Sequence, residues 1–490
     1  MTGDHILVLD AGTTSTRAML FTADGTVTAS ASRALSQFYP RPGWVEHDAQ
    51  QLWQETLACA REVVGRIGGA ASVAAIGIAN QRETVVAWNR DTGEPLSRAI
   101  VWQDRRTARM CQALRDEGYE ALVQQRTGLL LDPYFSATKM RWLLENEPAV
   151  AAAARDGTLA FGTVESWLTF RLSKGLHVSD ASNASRTLLL PLDGDAPDPG
   201  LCALFGVPEQ ALPRICDNAG ALAEADAAWL GRAIPVTGLA GDQQAATIGQ
   251  ACLDPGEVKA TYGTGAFVLA NMGSTIPRSS HRLLGTVLMQ LGGRRTYALE
   301  GSVFVAGSLI QWLRDTLGLI DTAAETEDLA RSVTSSGEVT IVPALAGLGA
   351  PHWNADARGV IAGLSFSSGR AQIVRAALES MAHQTWDLAT AFAADGARWA
   401  NLRIDGGMSA NDWMAQDLAD MLDLPVERPE FIETTALGAA MLAALGCGWF
   451  SDLPAATKAM RGGAALFTPQ LDQGQRAERL ARWRKALSAA

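Results

Sequence analysis

Hydroxyls, glycine and a carboxylate crowd into one short stretch near the start of the chain, Asp10-Ala11-Gly12-Thr13-Thr14-Ser15. A related stretch, Tyr262-Gly263-Thr264-Gly265, follows about 250 positions later. Apolar runs flank each: 6–9 and 17–21 around the first, Val258 and 267–269 around the second. Backbone N–H groups and hydroxyls gathered in a tight turn can cradle phosphate oxygens. Two such turns, one in each half, can grip a phosphate chain from opposite sides. Asp10 stands where the first apolar run ends, placed to reach a magnesium ion. Taken singly, each turn reads first as an ordinary hairpin loop.

Three further groups have chemical potential. Asp242 follows an apolar run and a glycine and precedes a helical stretch. A carboxylate there either orients a hydroxyl and accepts its proton during phosphoryl transfer or caps the helix; Gln243 beside it can hold a second hydroxyl. Arg82-Glu83 stands at the end of another apolar run. Polyol hydroxyls both donate and accept, so Arg82 supplies donors and Glu83 an acceptor. Such a pair suits an uncharged, hydroxylated substrate; the alternative is a salt bridge on a surface loop. Trp102 and Tyr134 are flat walls for such a pocket or ordinary core. Asp405-Gly406-Gly407-Met408-Ser409-Ala410-Asn411 joins a strand pattern to a helix pattern. Its two glycines permit close backbone approach by adenosine or phosphates, or the segment is a plain helix start with Ser409 or Asn411 as cap. Glu300-Gly301-Ser302 and the helix after it either face nucleotide or simply pack.

These groups need elements to hold them. Strand patterns at 6–10, 16–21 and 27–33 form an antiparallel meander with turns at Gly12 and at Asp24-Gly25. Leu52, Trp53, Thr56, Leu57, Ala60, Val63 and Val64 recur at helical spacing within 50–67. A buried strand at 75–79 then delivers Asn80-Gln81-Arg82-Glu83, and strand resumes at 85–88. Residues 191–200 read as a loop, 235–240 as a strand and 245–251 as a helix. The strand–turn–strand pattern begins again at 258–262 and 266–270. Helices follow at 305–316, 371–392 and 411–422, with a charged one at 476–487. A domain boundary near 250 divides the chain into 1–250 and 251–490.

Composition supports this division and removes other classes. At 490 residues the chain exceeds what one core serves. Its 48% hydrophobic content, 47 Gly and 19 Pro suit a packed α/β protein. A net charge of −11 and the lack of a basic stripe argue against nucleic acid and anionic membranes. The six cysteines form no C-x-x-C pair and read as buried free thiols. The six histidines form no metal-binding spacing. Asp4 and Asp10 interrupt the stretch a signal peptide would need. The longest apolar stretch, 436–450, is shorter than a span and reads as a buried helix. The expectation is a cytoplasmic protein without membrane insertion. A Walker phosphate loop and a dinucleotide fingerprint are both absent from the sequence.

A meander, then helix and strand alternating, carried out twice, is the plan of ATPases related to actin and hexokinase: two ribonuclease H-like α/β domains with the active site in the cleft between them. Nine stretches make the resemblance specific: FYPRPGWVEHD at 38–48, NQRETVVAW at 80–88, AIVWQDRRT at 99–107, DPYFSATK at 132–139, GLAGDQQAA at 238–246, TYGTGAF at 261–267, ALEGSVFVAGSLIQWLRD at 298–315, GLGAPHW at 347–353 and DGGMSAND at 405–412. Over essentially its whole length the chain resembles the FGGY carbohydrate kinases. Within them Arg82-Glu83, IVWQDRRT and DPYFSATK point to the members that phosphorylate glycerol.

The resemblance implies ATP and Mg2+ as cofactors, glycerol as substrate, and a homodimer or homotetramer. It places glycerol on Arg82, Glu83, Tyr134, Asp242 and Gln243, between Trp102 and Phe267, with Asp242 as catalytic base. It assigns Thr13, Thr14, Ser15 and Arg17 to the first phosphate turn and Thr264 to the second. Gly307, Gln311, Gly407 and Asn411 fall on the nucleotide side and Asp10 beside the magnesium. A kinase of the same family acting on a larger polyol or ketose is the alternative. The chain departs from some members at 227–232, where a glycine-rich effector loop is shortened, and at 191–200. Neither departure touches the chemical groups.

Overall fold

The computed structural model describes residues 3–354 and 356–490. Two mixed sheets dominate it, and they share one plan. In the first, His5–Ala11, Ser15–Phe21 and Val27–Ala34 form the antiparallel meander. His5–Ala11 then pairs in parallel with Val73–Asn80, which pairs in parallel with Ile234–Gly241; Ala219–Ala225 closes the edge antiparallel. In the second, Glu257–Tyr262, Ala266–Gly273 and Arg294–Val303 make the meander, extended by Leu284–Leu291. Glu257–Tyr262 pairs in parallel with Asn401–Asp405, and that strand with Val426–Pro429; Ala464–Phe467 closes the edge antiparallel. The repetition expected from the two turns is thus a repetition of whole sheets.

Strands buried on both faces are apolar along most of their length, and Val73–Asn80, apolar as far as Ala79, is buried at all its positions. Register sets the level at which the parallel strands end. Ala11 pairs with Asn80, and Asn80 with Gly241. The residues that follow, Gly12, Gln81 and Asp242, therefore leave the sheet side by side at the carboxyl ends of the strands, where open α/β sheets bind ligands.

Helix Asp242–Gly249 crosses helix Thr434–Gly446, its counterpart after the second half's third parallel strand. The crossing is backbone to backbone: a Cβ on Gly438 would lie 1.8 Å from the Ala245 carbonyl oxygen, and one on Gly249 2.1 Å from that of Thr434. The second helix is buried continuously from Ala436 to Ala444, as a helix apolar all round must be. It packs against Val8, Ala75, Ala79 and Ala240 of the first sheet.

The remaining elements follow the sequence reading with local shifts. Helix Asp242–Gly249 starts three residues before the expected 245, because Gly241 is already extended and ends the strand. Residues 191–200 are irregular only as far as Asp198, which caps a helix from Pro199. The terminal helix begins at Gln473 rather than 476, with Asp472 and Gln475 closing a capping box. The six cysteines are free and buried. No helix among the described residues is long and apolar enough to cross a membrane.

Candidate active site

Asp10, Glu83 and Asp242 sit at or just beyond the carboxyl ends of parallel strands. Asp242 is the first residue of its helix, one place beyond the Gly241 cap, and its Oδ1 accepts the N–H of Gln243 (2.7 Å). It is therefore not the helix cap. Arg82 Nε lies 3.3 Å from the same oxygen. Burial pushes the Asp242 carboxyl up, with the Arg82 charge and the Gln243 N–H pulling it back. A carboxylate raised in this way is a better proton acceptor than a free one.

Arg82 and Glu83 are buried, which removes the surface salt-bridge reading. They are also not chiefly partners of each other, for Arg82 Nε is 3.9 Å from Glu83 Oε1. Arg82 Nη1 donates instead to Glu300 Oε2 (2.6 Å) and Nη2 to Tyr134 Oη (3.3 Å). Glu83 accepts from Arg186 Nε (2.6 Å), and Arg186 Nη2 donates to Glu300 Oε1 (3.0 Å). Glu300 consequently does not face a nucleotide. Burial alone would raise its carboxyl, but Arg186 and Arg82 outweigh it and hold it at about 2. Glu83 has a left-handed backbone (φ 60°), costly for a side chain this size, and its carbonyl is held by Ser136 Oγ (3.0 Å). Of these charges only Asp242, at 32% side-chain exposure against 0–2% for the others, opens to the cleft.

Around this floor stand the aromatic groups. Trp102 makes edge contacts with Tyr134 (5.7 Å between centroids) and Phe267 (6.4 Å), so the three expected walls adjoin. Trp102 Nε1 also donates to Thr13 Oγ1 (2.9 Å), tying the wall to the first turn. Gln243 Oε1 accepts from the buried Lys259 Nζ (2.6 Å). Lysine only donates, so the Gln243 amide N–H2 remains to donate to a ligand.

Asp10 is also buried, and burial raises its carboxyl to about 6, although Arg17 lowers it. Arg17 gives its close contact to Glu433 (2.6 Å) and stays 3.9 Å from Asp10. Asp10 is thus a buried carboxylate short of positive charge.

On the second sheet, Thr264, Gly307, Gln311 and Gly407 line one cavity of about 290 Å³ with Tyr262, Gly263, Ile310, Arg314, Ala323 and Met408. The N–H groups of Ala306 and Ser308 are taken by the Thr264 carbonyl (2.9 and 3.1 Å), which fastens helix Gly307–Asp315 to the turn. Asn411 stands apart from this lining. It caps helix Asp412–Leu422 through Met414 N–H (2.9 Å) and donates to Thr326 Oγ1 (3.1 Å). Both readings of the 405–411 segment therefore apply, to different residues: Gly407 borders the cavity and Asn411 starts the helix. A larger cavity of about 340 Å³, between helices Arg370–Ala394, Asp412–Leu422 and Gln473–Leu487, shares no residue with these groups.

Sequence reasoning missed the layer beneath. Gly241 N–H donates to Ser182 Oγ (3.0 Å), and Ser182 Oγ donates to Asp180. Asn80 Nδ2 donates to Glu165 Oε2 (3.0 Å) and Asn183 Oδ1 (2.9 Å). One buried polar network thus braces the strand ends that carry Arg82 and Asp242. Burial, then the Asp180 charge, pushes Glu165 up to about 8. The signal available was polar residues in packed helices, such as Glu165 between Val164 and Trp167, since buried polar groups need partners.

Residues 5–249 match the model of the N-terminal domain of the FGGY family of carbohydrate kinases, and 258–447 that of its C-terminal domain. The chain is 51% identical over 485 residues to a glycerol kinase of Rhodospirillum rubrum, covering 98% of each protein. It is 51% identical over 487 residues to one of Alcanivorax borkumensis, covering 99% of this chain and 98% of that protein. The crystal structure of Plasmodium falciparum glycerol kinase with ADP superposes with a TM-score of 0.95 at 34% identity, covering 100% of this chain and 98% of that one.

Proposed function

We infer that this chain, which belongs to the FGGY family of carbohydrate kinases, transfers the terminal phosphoryl group of ATP to glycerol, giving glycerol 3-phosphate and ADP. The observation that carries the reading is the convergence of Arg82, Glu83 and Asp242 at adjoining strand ends beneath the Trp102–Tyr134–Phe267 walls, with Asp242 the one of these three open to the cleft. Full-length identity of 51% to glycerol kinases supports the same substrate.

In this reading Arg82 and the Gln243 amide donate to hydroxyl oxygens and Glu83 accepts from a hydroxyl. Asp242 accepts the proton of the attacking hydroxyl as its oxygen bonds to phosphorus and the bond to the ADP oxygen breaks. Thr13, Thr14 and Ser15 on one side and Thr264 on the other grip the phosphates, where donors fixed in advance stabilise the charge of the transition state. Gly307, Gln311 and Gly407 border the nucleotide, and Asn411 sets the helix beside them.

Asp10, buried and short of a cation, fits a divalent ion. Magnesium is commonly held by one or two carboxylates together with substrate phosphates, and Asp10 would be such a carboxylate. Bound there, Mg2+ supplies charge neutralisation on the polyphosphate. Arg17 adds a cation at the same turn. We further assign the protein to the cytoplasm, as a homodimer or homotetramer.

The test is steady-state ADP release with glycerol and with four- and five-carbon polyols and ketoses. Glycerol is expected to give the highest kcat/KM. A larger acceptor clearly preferred would transfer the assignment to another activity of the same family.

A further inference from the structure

Under the polyol floor lies a guanidinium that the scheme above leaves idle. Arg186 follows the short helix Ala181–Ala184 and is fully buried. Its Nε donates to Glu83 and its Nη2 to Glu300, on the second sheet. The rings of Tyr134 and Phe135 lie 5.7 and 5.2 Å from its Cζ. Its Nη1, also buried, has no hydrogen-bond partner among the described residues. Buried ion pairs are poor stabilisers compared with apolar packing, and an unfilled donor makes this one poorer. Its place calls for a reason other than stability.

Glu83 provides it. The groups facing Glu83 are Arg82 on its own segment, Arg186, Glu300 on strand Arg294–Val303, Tyr134, and Lys139 on helix Ser136–Asn146, with Asp242 beyond Arg82. Lys139 gives its ammonium to the carbonyls of Tyr134 (2.5 Å) and Phe135 (3.0 Å). Arg82 is drawn toward Glu300 and Asp242. Among the described residues Arg186 is the cation hydrogen-bonded to Glu83. Burial and the nearby Glu300 push the Glu83 carboxyl up; the charges of Arg82 and Arg186 work against them.

We propose that Arg186 is a positioning residue for polyol recognition, holding Glu83 turned to accept a substrate hydroxyl while its other arm, on Glu300, fixes this floor to the second half of the chain. The proposal rests on the pocket being the polyol site.

The experiment measures kcat and both KM values for wild type, R186M and R186K between pH 6 and 9, with glycerol and ATP. In R186M, Glu83 keeps only the more distant Arg82, and its carboxyl is pushed further up. Glycerol KM is expected to rise about tenfold or more while ATP KM stays within about twofold. Glycerol KM should then fall as pH rises, because loss of the Arg186 charge moves the Glu83 titration upward. Lysine keeps the charge but serves one carboxylate, so R186K should show a smaller rise with no new pH dependence. A folded R186M with unchanged glycerol KM, with both KM values raised together, or with a raised KM flat in pH overturns the proposal. Should R186M not fold, R186K decides: a rise confined to glycerol supports it and an unchanged KM overturns it. Wild type inactive on glycerol would overturn the pocket reading and this inference together, an outcome the wild-type arm separates from the others.

Discussion

The two regions proposed to hold the polyol and the nucleotide are built from opposite materials. The polyol region gathers Arg82, Glu83, Arg186, Glu300 and Asp242 from distant segments, and all but Asp242 are sealed from solvent. The nucleotide region is an open cavity of about 290 Å³ bounded by glycine backbone, Thr264, Ile310 and Met408. Its guanidinium, Arg314, is exposed and turned toward Asp315 (2.6 Å). A three-carbon triol offers little beyond its hydroxyls, so discrimination needs buried groups that are left unpaired by a wrong ligand. A nucleotide offers a large flat base and several phosphates, which shape and backbone can hold. One region is held by charges that answer one another; the other is shaped by backbone together with a few side chains such as Ile310 and Met408.

The strongest way to break the comparison is at Asp242. D242N keeps the size and loses the proton acceptor, so kcat should fall by roughly 10²–10⁴ with the thermal transition retained. Turnover above a tenth of wild type would remove Asp242 from the role of base. Next comes E83Q, which should raise glycerol KM by the equivalent of about 1.5–3 kcal/mol, the usual worth of a hydrogen bond to a charged group, and leave ATP KM alone. Equal rises in both constants would place Glu83 outside the substrate pocket. On the other side, a Cβ at Gly307 would lie 2.6 Å from the Gly263 carbonyl oxygen. G307A should therefore displace the second turn and raise ATP KM, at the roughly 1–3 kcal/mol typical of overpacking; a change in glycerol KM alone would contradict the division.

The smallest effect concerns stability. Glu165 has a folded pKa of about 8 against an ordinary 4.5. The folded protein then binds its proton more tightly than the unfolded chain, so this contribution is whole below about 4.5 and is lost as pH rises toward 8. E165Q removes the titration, and its melting temperature relative to wild type should climb between pH 5 and 8.5. Parallel curves would show that Glu165 does not titrate in this range.

What could be read in advance divides along the same line. Turns, strand ends and the glycine pair near 406 are local events, written in neighbouring residues, and the doubled sheet followed from them. The charges under the polyol could not be read this way. Arg186 meets Glu83 from 103 positions away, and Arg82 meets Glu300 from 218. Arg82-Glu83 looks like a pair when written out, yet each residue turns chiefly to a partner elsewhere. Glu300 did leave a trace, as a lone acid between Leu299 and Gly301 in an apolar strand. Asn411 was legible as to type, a helix-capping residue, but not as to whether it would also border the cavity.

Helix Thr434–Gly446 has a consequence for how the protein is made. It covers Val8, Ala75, Ala79 and Ala240, residues translated long before it. A ribosome that has finished the first half has therefore released a sheet with one apolar face bare, and the cover arrives only near the end of synthesis. Halves that fold as independent units as they emerge would avoid this wait. Here the nascent chain must stay soluble with its face open until the last part of the message is read, so chaperone dependence should be greatest for ribosomes stalled between about codons 250 and 430.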